Sequence, residues 1–271
     1  MSEVTPDQGP RLGLVLGGGA ALGAAHAGVV EVLQRAGYSF PVVAGTSAGG
    51  LIGAGYAAGL SSRVIVDVIL TATWGDFAKF NRERRWGLLD TSPLEQSIEK
   101  HITVSRIEDL PRRFGAVAWD MRAREAVLLT EGPLGRALRS TSAVPGLFPP
   151  VLIGDQLLVD GAVADNLPVW AARLLGADLV VAVDVQRGVL KAVKRVRHTL
   201  REVRPSAGDV SNDRPAEVVI QPDTSGAPRW SAKAVPELIA AGQQAAEAAL
   251  PDIAAAIAHA RGLTGPPAGT A

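Results

Sequence analysis

The sequence predicts an α/β fold built on parallel strands. Two short apolar runs, residues 12–16 and 42–44, each lead into a glycine-containing turn and then into a helical pattern. Strands that alternate with helices pair in parallel through right-handed crossovers, so consecutive strands usually lie near each other. A third apolar run, residues 179–185, is typical of a buried parallel strand. The ligand site of such a fold is expected at the carboxyl ends of its strands.

The first unit reads as strand, glycine loop and helix. After the strand at 12–16 comes a loop whose glycines are Gly17, Gly18, Gly19 and Gly23. The helix is predicted over residues 24–36, where apolar residues recur at helical spacing, and Gly37 is a suitable C-terminal stop.

The second unit contains a G-x-S-x-G pattern. Ser47 stands between Gly45 and Gly49, directly after an apolar run and before a run of small residues. A strand–turn–helix with this pattern is a nucleophile elbow, which presents a serine Oγ at the end of a buried strand. Because the glycine loop is expected at the same sheet edge, its backbone N–H groups could stabilise an oxyanion beside Ser47.

The remaining elements follow from apolar patterning and turn residues. We expect a helix over 92–101 capped by Ser92, with Pro93 at its first position. The last helix, 235–260, is predicted to break or kink at Pro251. Other helices are expected at 132–140 and around 171–175, hairpins at 114–119 with 125–130 and at 151–153 with 157–160, and a last strand at 217–222.

Composition narrows the classes of function. The chain has 271 residues, 47% of them hydrophobic but only 4% aromatic, so its core is built from Ala, Val, Leu and Ile. A net charge of zero gives no electrostatic basis for binding nucleic acid. There is no cysteine, and the four histidines show no metal-ligand spacing, so we expect no metal or other cofactor.

The sequence also predicts the order of the termini and the cellular location of the protein. Residues 1–10 are polar and residues 262–271 are rich in Gly and Pro, so both are expected to be disordered. The apolar start lacks the basic residues of a signal peptide, and the uncharged stretch between Arg35 and Arg63 is interrupted by Pro41 and several glycines. We therefore expect a cytoplasmic protein without a membrane span.

Two segments have alternative interpretations. An amphipathic basic helix is predicted from Gln186 to Arg204, either packed on its own domain or in peripheral contact with a membrane surface. The stretch 71–90 is rich in aromatic residues, which could line an acyl groove, belong to the core or form a surface patch. These aromatic residues are Trp74, Phe77, Phe80 and Trp86.

Ser47 needs a base to become a nucleophile at neutral pH. The histidines are poorly placed for that role: His26 is expected to pack in the core or to brace the glycine loop, and His259 lies near the end of the last helix. A desolvated carboxylate can serve instead, because burial raises its pKa towards the working range. Asp160, which ends an apolar strand before Gly161, is the best candidate, with Asp165 and Asp184 as competitors.

Four blocks of the chain, taken in order, resemble the patatin-like phospholipases. They are residues 17–23, 45–49, 142–150, and 159–161 with 166–168. The resemblance implies a single three-layer α/β/α domain over residues 11–261 with a mostly parallel central sheet. It also implies a Ser–Asp dyad with Ser47 as nucleophile and Asp160 as base, and an oxyanion hole of Gly18, Gly19 and Ala20.

The resemblance has departures and leaves rival functions. The family usually has Arg or Lys just before the last glycine of its first block, where this chain has Leu22, and many relatives have Gly in place of Ala20. The expected function is hydrolysis of a lipid or small carboxylic ester through an acyl-enzyme. The alternative is a non-catalytic lipid-binding or regulatory protein that keeps the fold. A nucleotide-binding loop is disfavoured, because no Gly-Lys-Ser/Thr follows the glycines.

Overall fold

The computed structural model describes residues 9–80, 89–186, 214–228 and 232–262. Its centre is an eight-stranded sheet with the order β10-β9-β1-β2-β5-β8-β7, in which β6 also pairs with β5. The strands are β1 (Leu12–Leu16), β2 (Val42–Thr46), β3 (Lys79–Phe80), β4 (Leu89–Asp90), β5 (Arg113–Asp120), β6 (Glu125–Leu129), β7 (Val151–Ile153), β8 (Gln156–Asp160), β9 (Leu179–Val183) and β10 (Val218–Ile220).

The sheet is mostly parallel, as predicted. The five strands from β10 to β5 run parallel to their neighbours, whereas β6, β7 and β8 join as antiparallel strands. The predicted hairpins β5–β6 and β7–β8 are both present. The short strands β3 and β4 form a separate antiparallel pair.

One edge of β5 is shared by two strands of opposite direction. The first half of β5 pairs with β2, ending with Thr46 opposite Val117, and the second half pairs with β8, beginning with Asp160 opposite Ala118. Because β6 pairs with residues of both halves, it must lie on the other edge. The carboxyl ends of β2 and β8 therefore meet at adjacent positions of one strand.

Helices cover both faces of this sheet, which gives the three-layer arrangement. They are α1 (Ala24–Arg35), α2 (Ala48–Ala57), α3 (Ser62–Thr71), α4 (Trp74–Phe77), α5 (Ser92–His101), α6 (Leu134–Thr141), α7 (Val169–Leu174) and α8 (Val235–Ala260). Alternate strand residues face opposite layers: Leu14 and Val43 pack with α1, α2 and α8, whereas Val15 and Val42 pack with α7.

Helices α1 and α8 approach each other closely through two glycines. A Cβ atom on Gly28 would lie 2.0 Å from the carbonyl oxygen of Ile239, and one on Gly242 would lie 2.0 Å from that of Ala25. Side chains tie the same pair of helices together, since Arg35 contacts Glu247 at 2.7 Å. Only glycine fits at such a crossing, because any larger residue would push the helices apart.

Two predicted details of the helices can be compared with the structure. Of the break or kink predicted at Pro251, the break is absent: helix α8 continues through Pro251 as one element, and fully buried Ala246 and Ile253 pack on either side of the proline. Helix α5 has Thr91 at its N-cap position rather than Ser92, since Ser92 already belongs to the helix and its N–H and hydroxyl both donate to Asp90.

Some predicted segments cannot be compared with the structure. The basic helix predicted after Gln186 lies in residues 187–213, which are outside the described part of the chain. Residues 1–8 and 263–271 of the predicted disordered ends and Trp86 of the aromatic stretch lie outside it too. Among the described helices, none is both long and apolar enough to cross a membrane.

We expect Gly242→Ala to destabilise the protein by roughly 1–3 kcal/mol, the usual cost of overpacking a tight interface. The added methyl group would overlap the backbone of Ala25, which cannot move away as a side chain could. Equilibrium urea unfolding measures the effect. Gly135→Ala is the matched control: its Cβ would lie 3.5 Å from the nearest atoms, on Glu95, so it should be neutral or slightly stabilising.

Candidate active site

Ser47 occupies a strained turn between β2 and α2. Its backbone has φ 53° and ψ −126°, a conformation that costs a non-glycine residue about 1–3 kcal/mol. The motif glycines make the turn sterically feasible. A Cβ on Gly45 would lie 2.6 Å from the carbonyl oxygen of Gly49, and one on Gly49 would lie 2.1 Å from that of Leu16. The elbow predicted from the sequence is therefore present, with Ser47 92% buried at its tip.

The glycine loop after β1 lies beside this elbow. The N–H of Gly17 donates to the carbonyl oxygen of Val183, which continues the hydrogen bonding between β1 and β9. A Cβ on Gly18 would lie 3.2 Å from Cβ of Ser47, and one on Gly23 would lie 2.5 Å from that of Ala48. These two glycines allow the loop to pack directly on the elbow.

His26 braces the glycine loop, as expected from the sequence. Its Nε2–H donates to the carbonyl oxygen of Gly17 over 2.7 Å, and the side chain is fully buried. Burial lowers the pKa of His26 from 6.5 to about 4, against the opposing effect of that hydrogen bond. The imidazole is therefore a weaker base than an ordinary histidine, and its Nε2 is bound to the Gly17 carbonyl, so His26 is poorly suited to take the Ser47 proton.

Asp160 ends β8 at the point where β8 meets β2. Its Oδ1 accepts the N–H of Ala162 over 2.9 Å, so the carboxylate caps the 3-10 turn Gly161–Val163 that follows the strand. The N–H of Asp160 donates to the carbonyl oxygen of Ala143. A Cβ on Gly161 would lie 2.3 Å from the carbonyl oxygen of Val117, so glycine is required for the chain to turn here.

The Ser47 hydroxyl lies close enough to the Asp160 carboxyl to favour its ionised form. Burial acts more strongly in the other direction. It raises the pKa of Asp160 from 3.8 to about 6, against the lowering by the Ala162 N–H and the Ser47 hydroxyl. Near neutral pH the site thus holds an ionised but poorly solvated carboxylate in contact with a serine hydroxyl, which favours proton transfer.

Two of the three predicted oxyanion donors remain unpaired. Within the described residues, no acceptor is found for the N–H groups of Gly19 and Ala20. The Gly18 N–H, which the sequence prediction included, instead donates to the carbonyl oxygen of Asn166 over 3.1 Å. It serves to hold the loop in place. Ala20 itself has φ 51° and lines the cavity next to Ser47.

Thr141 is a site residue that sequence reasoning missed. The Ser47 N–H donates to Thr141 Oγ1 over 2.9 Å, and that hydroxyl in turn donates to the carbonyl oxygen of Val117. Thr141 therefore satisfies the backbone of the elbow through a contact 94 positions away in sequence. The next residue, Ser142, also lines the cavity, and its buried hydroxyl has no partner among the described residues.

Asn166 and Gln186 support the glycine loop from the other side. The Asn166 and Gln186 side-chain amides both donate to the carbonyl oxygen of Gly18, over 3.0 and 2.9 Å. Gln186 belongs to no motif, so no signal in the sequence marked it. Asn166 belongs to the block from which the resemblance was recognised, but its contact with Gly18 depends on the fold.

The competing carboxylates have other partners. Asp165 Oδ1 accepts the N–H of Leu167 over 3.1 Å, and Asp184 Oδ1 accepts the N–H of Gln186 over 2.9 Å. Both contacts are local turns in which the side chain binds the backbone two residues ahead. His259 lies in the last turn of α8, and His198 is outside the described residues.

An apolar cavity of about 300 Å³ opens beside Ser47. Its wall is formed mainly by apolar residues of α2, α3 and α5. Of the aromatic stretch, Phe77 lines this cavity, whereas Phe80 is 87% exposed on the surface. Leu22, at the position where the family has a basic residue, is buried in the core. Within the described ranges no cluster of His, Asp or Glu could hold a metal ion.

Comparison with known protein families matches residues 14–173 to the patatin-like phospholipases. That stretch is more than half of the chain and includes the glycine loop, the elbow, Thr141 and Asp160. The chain belongs to the patatin-like phospholipase family. The family assignment made from the sequence blocks is thus confirmed, and so is the fold that it implied.

The curated relatives that this chain matches are longer than the chain itself. An uncharacterized NTE family protein of Mycobacterium tuberculosis is 32% identical over 68% of this chain and 51% of its own length. A lysophospholipase of the NTE type from Coccidioides immitis is 33% identical over 65% of this chain but only 12% of its own length. The chain thus spans about half of the mycobacterial relatives it matches.

A solved structure shares the fold. The crystal structure of VipD from Legionella pneumophila superposes with a TM-score of 0.50 at 15% identity, covering 88% of this chain and 67% of that one. At this level of identity the likeness concerns the fold alone.

Thr141→Val should destabilise the protein by roughly 1–3 kcal/mol, because it leaves the buried N–H of Ser47 without an acceptor. Valine has nearly the same shape as threonine, so the change removes the hydroxyl with little effect on packing. Denaturant unfolding measures the loss. Thr141→Ser keeps the hydroxyl and is the control; if both variants lose the same stability, the hydrogen bond is not the cause.

Proposed function

We propose that this protein is a serine acyl-ester hydrolase that cleaves lipid or simple carboxylic esters through an acyl-enzyme. The observation that supports this most directly is the proximity of the Ser47 hydroxyl to buried Asp160, whose pKa is raised to about 6. Membership of the patatin-like phospholipase family agrees with it. The apolar cavity next to Ser47 favours a substrate with a hydrocarbon chain.

In the proposed reaction, Asp160 takes the proton of the Ser47 hydroxyl while Ser47 Oγ attacks the ester carbonyl. The unpaired N–H groups of Gly19 and Ala20 donate hydrogen bonds to the developing oxyanion. Asp160 then returns the proton to the departing alcohol, which leaves an acyl group on Ser47. A water molecule attacks this acyl-enzyme, with Asp160 again taking the proton, and Ser47 regains its proton when the free acid leaves. Every group used belongs to this chain.

One residue of the glycine loop, Leu22, bears on the headgroup of the substrate. Leu22 places a buried apolar side chain where the family usually has a cation. We infer that the site contributes no charge at this position to a phosphate, so small carboxylic esters are proposed as substrates beside lysophospholipids. The NTE-type lysophospholipase relative supports the lipid class. Peripheral membrane contact through residues 186–204 remains part of the proposal, resting on the sequence alone.

A fluorophosphonate probe should label Ser47 covalently. The probe mimics the tetrahedral intermediate, so labelling requires an activated hydroxyl next to oxyanion donors. Intact-mass spectrometry should show one adduct on the wild type and none on Ser47→Ala. Ser142→Ala is the control for a neighbouring cavity serine and should still be labelled. An unlabelled wild type of native fold would favour the alternative, a non-catalytic lipid-binding protein.

The pH dependence of hydrolysis should follow the ionisation of Asp160. Since its pKa is about 6, kcat/KM for a p-nitrophenyl ester should rise roughly tenfold per pH unit below 6 and level off above it. Asp160→Asn removes the base and should lower kcat/KM by roughly 10²–10⁴-fold.

The control is Asp120→Asn. Asp120 also ends a strand, is 3% exposed like Asp160, and binds backbone N–H groups of Arg122 and Leu157. It makes no contact with Ser47, so the acidic limb should persist in this variant. An acidic limb that survives in Asp160→Asn and vanishes in Asp120→Asn would contradict the proposed base.

A further inference from the structure

The cavity beside Ser47 follows one face of α2. Its wall includes Ala48, Leu51, Ile52 and Gly55, which recur at helical spacing after Ser47. Gly55 stands eight residues beyond Ser47, which corresponds to a rise of about 12 Å along the helix axis. The cavity therefore extends away from the nucleophile for about two turns of α2.

The part of the wall formed by α3 is equally apolar. Its lining residues recur at spacings of three and four, which is the pattern of a single helix face. They are Ile65, Val68 and Ile69 of α3 and Ala72 just after it. The polar residues of the lining are Ser47 and Ser142 at the nucleophile end, and Thr73, Ser97 and His101, of which Thr73 and His101 are exposed. A hydrocarbon chain that starts at Ser47 and follows α2 would thus contact almost only apolar groups.

Two glycines line the cavity, Gly23 of the glycine loop and Gly55 of α2, and Gly55 is the one far from Ser47. Unlike the motif glycines, it does not avoid a clash: a Cβ there would lie 3.5 Å from Leu60 Cδ1 and 3.7 Å from Ile65 Cγ1, which are ordinary contacts. Its backbone is helical, so no unusual φ requires glycine. Glycine inside a helix is unfavourable relative to alanine. Neither packing nor conformation explains this glycine, whereas the space it leaves in the cavity does.

We propose that Gly55, with Leu60 and Ile65, sets the length of the acyl chain that the cavity accepts. The inference rests on the proposed function, because it assumes that the acyl group of the ester starts at Ser47. The substrate class it names is the ester of one unbranched acyl chain that follows α2 and ends against these three residues. A side chain at position 55 shortens this space, and a smaller residue at position 60 lengthens it.

The test compares two variants that change the same end of the cavity in opposite directions. The readout is the ratio of kcat/KM for p-nitrophenyl dodecanoate to that for the butanoate. Gly55→Val should lower this ratio about tenfold or more, the discrimination that a methylene group commonly gives in an apolar pocket. Leu60→Ala should shift the preferred length towards longer chains. Thermal unfolding checks that each variant is folded.

Gly135→Val is the matched control. Gly135 is also a helical glycine with ordinary contacts at its Cβ position, the nearest being 3.5 Å away on Glu95, but it does not line the cavity. Its ratio should equal that of the wild type. If Gly55→Val leaves the ratio unchanged, or if Gly135→Val lowers it equally, the inference is overturned.

Binding separates this inference from the proposed function. In a Ser47→Ala background, octanoic and dodecanoic acids are used to displace a fluorescent fatty acid, with and without Gly55→Val. The added valine should weaken dodecanoic acid about tenfold more than octanoic acid. This result would support the length limit even if the wild type hydrolysed no ester. Absence of fatty-acid binding, or equal weakening of both acids, would overturn it.

Discussion

The sharing of one β5 edge between β2 and β8 is the constraint on which the site depends. Thr46 lies opposite Val117 and Asp160 lies opposite Ala118, so two strands of opposite direction end side by side. Each strand then turns sharply, β2 at the elbow and β8 at Gly161, whose position against the Val117 carbonyl admits no side chain. A slip of one residue in either pairing would move its side chain to the other face of the sheet.

The same junction supports the proposal that a carboxylate serves where a histidine is more usual. Asp160 is held by the Ala162 N–H and lies almost out of water, so its charge is poorly compensated and its pKa rises to about 6. The imidazole of His26 is a weaker base, because burial lowers its pKa to about 4, and its Nε2 is bound to the Gly17 carbonyl. We therefore propose separate tasks for the two groups, a chemical one for Asp160 and a structural one for His26.

Much of the site was predictable because its signals are local. The elbow glycines and the strand-ending Asp160 are readable from short patterns, since the turn geometry they permit depends on adjacent residues. The residues that support the elbow and the glycine loop could not be predicted from the sequence. Thr141 reaches the elbow across 94 positions, and Gln186 reaches Gly18 across 168, so both contacts exist only once the sheet is assembled.

The same distinction applies to the fold. Most strands and helices, both hairpins and the parallel core followed from apolar runs and turn residues, because these reflect backbone geometry and burial, whereas α3, α4 and the β3–β4 pair were not predicted. The continuity of α8 did not follow from these patterns. Its Pro251 predicts a break on local grounds, but buried residues on both sides, Ala246 and Ile253, pack the helix as one element. Tertiary packing here outweighs the local penalty of proline.

His26 and Asp160 affect stability in opposite directions in acid. The pKa of His26 is lowered from 6.5 to about 4, so the unfolded chain binds more protons between these values and stability falls as pH falls through them. The pKa of Asp160 is raised from 3.8 to about 6, so the folded protein binds more protons over nearly the same range and stability increases as pH falls. These two contributions oppose each other between about pH 4 and 6. Under the proposed mechanism catalysis has no such opposition, because only the charge of Asp160 acts on Ser47. The loss of activity that we expect in mild acid would therefore be a property of the site and would not require these two groups to unfold the protein.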